Sequence, residues 1–380
     1  MPTSAAGNLR GQWQRPAGQA ATVRLQAYYD HTRRVEPNFD ETRNTGDLDL
    51  QYDRRDGRNQ LLGGLGYRLS RGGTGGPPTV LFRPPARTDH IWSAFLQDRI
   101  DLRPDRLMLT VGVKLERNDY SGVELQPSAR LLWVPRPRHS LWAAVSRAVR
   151  TPSRVDRDLE ITVSVDPSRP VFSRFLGTSD FMSERAIVYE AGYRAQRGNR
   201  FLFDAAVFHN DYKDLLSIEP GTPFTETGAE GLRSVVPLLI ANGIGGTVNG
   251  GEVAVNLRIN DPWRLQGSYS FLNVDLRPRA GSQDRTTAVS AEGSSPRHRL
   301  VLRSSFTGGP LQLDASLRHV SSLPAQAVPA YSSLNARAAW TWKVVEVAVV
   351  GGDLLASHHP EFGGGTEIDR SIYGELAWRF

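Results

Sequence analysis

The chain has 380 residues, 39% hydrophobic and 23% charged, with a mean hydropathy of −0.39. That length suits two or three soluble domains or one large closed sheet, but apolar runs such as Val235–Ile240 end too soon for any helical membrane span of about 20 residues. The absence of cysteine removes disulfides, thiolate metal ligands and cysteine nucleophiles together. The net charge is +6, and Lys114, Lys213 and Lys343 are the only lysines, so arginine carries nearly all the basic charge. Those arginines recur singly and are nearly balanced by 40 acids, which argues against a nucleic-acid partner.

From the first residues onward the periodicity is two. Met1–Gly7 lacks the basic and then apolar pattern of a secretory signal. Val23, Leu25, Ala27 and Tyr29 then oppose Arg24, Gln26, Tyr28 and Asp30. Leu107, Leu109, Val111, Val113 and Leu115 alternate with mostly polar neighbours, as do Leu311, Leu313, Ala315 and Leu317. Near the end, Ile372, Gly374, Leu376, Trp378 and Phe380 form one face of a last strand. Each segment is a two-faced strand.

Tight turns are expected at Pro16–Gln19, Arg55–Asn59, Arg103–Arg106, Pro135–His139, Gln196–Arg200, Asn260–Trp263, Thr307–Pro310 and Lys343–Glu346. Between them run polar stretches read as long loops: His31–Gly46, Ser70–Asp89, Arg117–Gln126, Thr151–Ser183, Ser217–Thr247, Asn273–Ser295, Val320–Ala330 and Gly352–Arg370. A soluble sandwich would also bury one face of each strand, but it has no reason to alternate short and long connections. An all-β transmembrane antiparallel barrel does, with short periplasmic turns at one rim and long external loops at the other. The tryptophans lie within or at the ends of these segments, where an amphipathic ring meets the membrane interface. The polar faces then line a lumen.

Eight short and eight long connections join about 17 strands, so the first and last run in the same direction. An antiparallel barrel closes with an even number, and an open edge in lipid leaves backbone groups unsatisfied. The expectation is a single partial barrel domain over 1–380, lacking strands on its N-terminal side.

Several pieces resemble the C-terminal barrel of TonB-dependent outer-membrane receptors. They are Ser146–Arg154 (SRAVRTPSR), Ser183-Glu184 with Tyr189–Arg194 (YEAGYR), Ala206–Leu215 (AVFHNDYKDL), Asn249–Glu252 (NGGE), Gly352–Leu355 (GDLL), His359–Phe362 (HPEF) and the terminal Phe380. The resemblance implies a 22-stranded barrel with an N-terminal plug. It implies uptake of a scarce ligand, such as a ferric siderophore, energised through TonB, in the outer membrane of a Gram-negative bacterium. No plug or TonB-contacting segment is recognisable, so TonB is expected to act only through that missing region, and the protein is expected to be monomeric. The alternative is a passive pore or a non-transporting barrel fragment.

The candidate ligand-binding residues are Arg147, Arg150, Arg154, His209 and Tyr212. Guanidinium forks match carboxylates and catecholates bidentately; the competing reading pairs these arginines with lumen acids. His358, His359 and Glu361 are metal-ligand types, but the resemblance makes them a structural loop element, so no metal and no cofactor are expected. No nucleophile motif such as G-x-S-x-G is present, so no catalytic residue is assigned and the chain is not read as an enzyme.

Overall fold

The computed structural model describes residues 2–76, 79–166, 170–228 and 231–378. One 21-stranded sheet dominates it. Seventeen of its strands are long and follow one another around a wall from Thr3–Pro16 to Ser371–Trp378, each antiparallel to its neighbour. Four short strands, Val80–Phe82, Leu159–Asp166, Val171–Leu176 and Phe224–Gly228, extend the sheet beyond the rim on the loop side. There Val171–Leu176 runs parallel to Ser234–Leu239. Among the described residues no pairing joins Thr3–Pro16 to Ser371–Trp378. The terminal Phe380 lies outside the described residues, and no helix among them is long and apolar enough to cross a membrane.

The alternation has one consistent sense: apolar faces look outward. On Phe39–Asp56, Leu48, Leu50 and Tyr52 are exposed, while Asp47 on the other face pairs with Arg68 at 2.9 Å. On Leu107–Asn118, Val111, Val113 and Leu115 are exposed, while Lys114 and Glu116 pair at 2.8 Å. Val347 and Val349 are exposed while Ala348 between them is buried. Exposed rows of apolar side chains would be an aggregation liability in water and are the required surface in lipid. The soluble sandwich is thereby excluded. Trp342, Val345 and Trp378 share one ladder row beside a tight turn, which puts two indoles at the edge of the apolar band.

All eight tight turns fall where the sequence puts them. Several of the expected long loops need correction. Ser217–Thr247, for example, is mostly strand, taken up by Phe201–Pro220, Phe224–Gly228 and Gly231–Arg258. His31–Gly46 is almost entirely hairpin, because Ala21–Glu36 and Phe39–Asp56 pair from Ala21↔Arg54 to Glu36↔Phe39. Arg117–Gln126 shrinks to the turn at 119–121 between Leu107–Asn118 and Gly122–Arg136. Polar composition signals exposure to water there, and a water-exposed strand pair keeps its backbone hydrogen bonds. Among the most deeply buried apolar side chains, Phe181 and Val328 sit in connections, and Val235 and Ile244 sit on the loop-end extension of the strand Gly231–Arg258.

Candidate functional site

The outer end of the lumen carries the densest charge network. A one-turn helix, α1 (Arg154–Asp158), begins as the chain leaves the strand His139–Arg150. Asp156 holds this turn from inside: its carboxylate accepts from the Ser153 N–H at 2.7 Å and the Ser153 hydroxyl at 2.8 Å. Arg150 reaches forward to Asp156 at 2.9 Å and across to Glu184 at 2.5 Å. Burial alone would push the Asp156 carboxyl up, but the bonds from Arg150 and Ser153 outweigh it and hold the group below the usual carboxylate range.

Arg154 is buried, donates to Asp158 at 3.2 Å and to the Pro84 carbonyl, and lies 5.0 Å from the Phe82 ring. Asp158 also accepts from Arg87 at 3.3 Å, and Arg87 lies 4.2 Å over the Tyr120 ring. Burial first, and the charge of Asp89 second, push the Tyr120 phenol up, so it stays neutral. Beneath this roof lies a cavity of about 450 Å³, lined by Phe39, Arg43, Arg68, Phe82, Tyr120 and Arg154 among others. Arg154 Nη1 and Tyr120 Oη are buried there without a hydrogen-bond partner among the described residues. Buried donors are rarely left so; Arg154 Nη1 offers an incoming acceptor an uncompeted contact, whereas the Tyr120 phenol has the Asp89 carboxylate beside it.

The sequence candidates do not form one constellation. Arg150 and Arg154 meet through α1. Arg147 stands apart, pairing with Glu124 at 3.2 Å and donating to the Leu125 carbonyl. His209 shares the outward face with the exposed Val207; its ring lies 6.1 Å from Tyr189 and 2.6 Å from Asn249 Oδ1. Tyr212 falls on the opposite face, 3.4 Å from Asn210. Phe82 and Arg87, from the connection between Ser70 and Asp89, and Tyr120, from the turn at 119–121, were missed by the sequence reading because only the pairing of strands along the wall brings these connections together.

A second cluster unites His359, Glu361 and Asp353, with His359 Nε2 3.0 Å from Glu361 and 4.0 Å from Asp353. Arg318 already occupies Glu361, and His359 Nδ1 is buried without the partner that a ligating imidazole ordinarily has. His358 turns away towards Glu367 at 3.9 Å. The donors that this group offers are used to pin the loop after Gly352 to the wall.

A wall with apolar residues outward, ion pairs inward and a charged roof at one rim defines a transmembrane β-barrel of the receptor type. The chain belongs to the TonB-dependent receptor barrel family: the model described as TonB dependent receptor-like, beta-barrel matches residues 3–352. Among curated proteins no sequence matches. Solved structures with the same fold include the siderophore receptor PirA from Pseudomonas aeruginosa, with a TM-score of 0.68 and 16% identity over 99% of this chain and 64% of that one. PirA from Acinetobacter baumannii gives 0.70 and 14%, over 100% and 62%. The copper transporter OprC gives 0.65 and 13%, over 99% and 67%. The chain thus spans less than two thirds of the length of the PirA receptors it resembles.

Proposed function

We propose that the protein carrying this chain is an outer-membrane receptor that takes up a scarce anionic chelate, a ferric siderophore being the leading class, with energy delivered through TonB. In this reading 1–380 is a single barrel domain, and the plug and the TonB contact belong to a part of the protein not included in it. The supporting observation is the cavity under α1, where a buried guanidinium nitrogen of Arg154 lacks a protein acceptor and the buried Tyr120 phenol lines the same wall. A chelate with carboxylate or catecholate oxygens supplies such acceptors, and charge-assisted bonds to arginine are the strong ones. Arg147 and Arg150 then hold the roof through Glu124, Glu184 and Asp156, and Tyr212 adds a polar group on the lumen face.

The test is uptake of radiolabelled ferric siderophores by cells with and without the complete gene, with Arg154→Gln and Tyr120→Phe as site variants. Uptake of at least one anionic chelate should fall on deletion and fall partially in each variant. Unchanged uptake across the panel rejects the iron role. Steady conductance of the full-length protein in planar bilayers would favour the passive-pore reading instead, since a plugged receptor is nearly silent.

A further inference from the structure

Beyond the rim, the short strands Val80–Phe82, Leu159–Asp166, Val171–Leu176 and Phe224–Gly228 form a patch with the start of Gly231–Arg258. The patch keeps a period of two, and its two faces differ sharply. One face carries the charge: Glu160 meets Arg83 at 2.7 Å and Arg174 at 3.6 Å, while Arg174 and Arg233 share Glu226, each at 2.5 Å. The same guanidinium groups lie over rings, Arg174 5.7 Å from Phe224 and Arg233 4.9 Å from Phe172, and Val235 between them is fully buried. That face is closed by its own side chains.

The other face has no charged side chain among the described residues. Val80, Ile161, Phe175 and Leu238 are successive ladder partners and make one apolar row across four strands, about 14 Å between the outer Cα atoms. Val163, 43% exposed, and the half-buried Val236 flank the row. Two residues from Val80 on the same face, Phe82 packs on Phe39 with ring centroids 5.7 Å apart and lines the cavity under α1, 5.0 Å from the Arg154 guanidinium. The apolar row therefore leads to the cavity where Arg154 Nη1 lacks an acceptor. In the membrane-spanning wall the lumen side is charged and the lipid side apolar; here, past the bilayer, the cavity side is the apolar one. Lipid does not account for apolar side chains in this place, and partly exposed apolar rows next to a polar cleft mark binding surfaces.

Resting on the anionic-chelate reading above, we infer that the ligand is amphiphilic, with its anionic head in the cavity under α1 and an acyl chain laid along the row Val80, Ile161, Phe175 and Leu238. The full-length protein in lipid nanodiscs is titrated with the ferric complexes of two dihydroxamates built on citric acid, identical except for N-acetyl or N-hexanoyl groups. Binding is followed by tryptophan fluorescence quenching, with empty nanodiscs subtracted. The wild type should prefer the hexanoyl chelate about tenfold, as expected when part of the chain leaves water. Ile161→Ser/Val236→Ser should reduce that preference to about twofold while leaving acetyl-chelate affinity within twofold of wild type. Arg83→Gln, on the charged face, should leave the preference intact. Should the double variant fail to assemble, Val163→Ser, at the more exposed flank, should lower the preference about threefold. Equal affinity of the wild type for the two chelates overturns the inference, as does a preference unchanged in the apolar variants. Arg154→Gln should weaken both chelates alike; no effect on either would instead reject the anion site on which the inference rests.

Discussion

The turn end and the loop end of the wall are built from the same strands, yet only the turn end follows the alternation closely. At the turn end every connection is a few residues, and outward Leu, Val and Trp alternate with inward Arg, Asp and Glu. At the loop end strands run on: Gly231–Arg258 has 28 residues, and the hairpin of Ala21–Glu36 with Phe39–Asp56 continues through Thr32–Glu36, where the pattern of two has faded. A strand shows the alternation where its two faces meet different solvents. Beyond the bilayer both faces meet water or polar loops, so backbone pairing persists while the side-chain signal disappears.

The sharpest break of that comparison is a charge on the outward face inside the band. Leu65→Arg, at a side chain 60% exposed in the middle of its strand, should cost about 2–4 kcal/mol in a bilayer, measured by reversible denaturant unfolding. The same substitution at Val123, beside the turn at 119–121, should cost much less. A close approach on the inner face ranks next. A Cβ on Gly192 would stand 2.5 Å from the Trp142 ring, so Gly192→Val should destabilise by about 1–3 kcal/mol, and Gly192→Val/Trp142→Leu should recover part of it.

Asp284 probes the loop end through pH. Burial would push its carboxyl up, yet bonds from the Thr287 side chain and from the backbone of Ile218, Thr287 and Thr286 hold it down to about 2. A lowered value means that this anchoring is complete above the unfolded carboxylate range near 4 and is lost as pH falls towards 2. Hydrogen exchange of 282–293 should stay slow at pH 5 and accelerate across that window, and Asp284→Asn should abolish the pH dependence. Least of all should an open ion pair on the inner wall matter. Arg194 pairs with Asp204 at 2.5 Å but is 65% exposed, so Arg194→Gln should change stability by less than about 1 kcal/mol. A loss as large as that of Leu65→Arg would mean the two faces had been assigned the wrong way round.

Much of the fold was legible because a period of two and turn chemistry act over neighbouring residues. Asp105 and Lys343 take left-handed φ values of 58° and 56°, and Gly57, Gly198 and Gly309 do likewise, inside connections already marked as turns. The candidate site was legible only in part. Arg150 and Arg154 stand out on one short segment, and α1 brings them together; His209 and Tyr212 are three residues apart on a strand and therefore face opposite sides. Their roles depend on which side is the lumen, which alternation alone leaves undecided.

By itself the sequence determined the eight tight turns, the amphipathic alternation and an odd set of about 17 long strands, since each follows from local sterics and side-chain polarity. Only the tertiary structure decided which face meets lipid, how far the strands continue past the bilayer, and which distant connections meet at the rim. Arg87, Tyr120 and Arg154 come from three different connections, and no local rule couples them. The antiparallel pairing of successive strands along the wall sets their spacing, because each strand can satisfy its backbone only against the next.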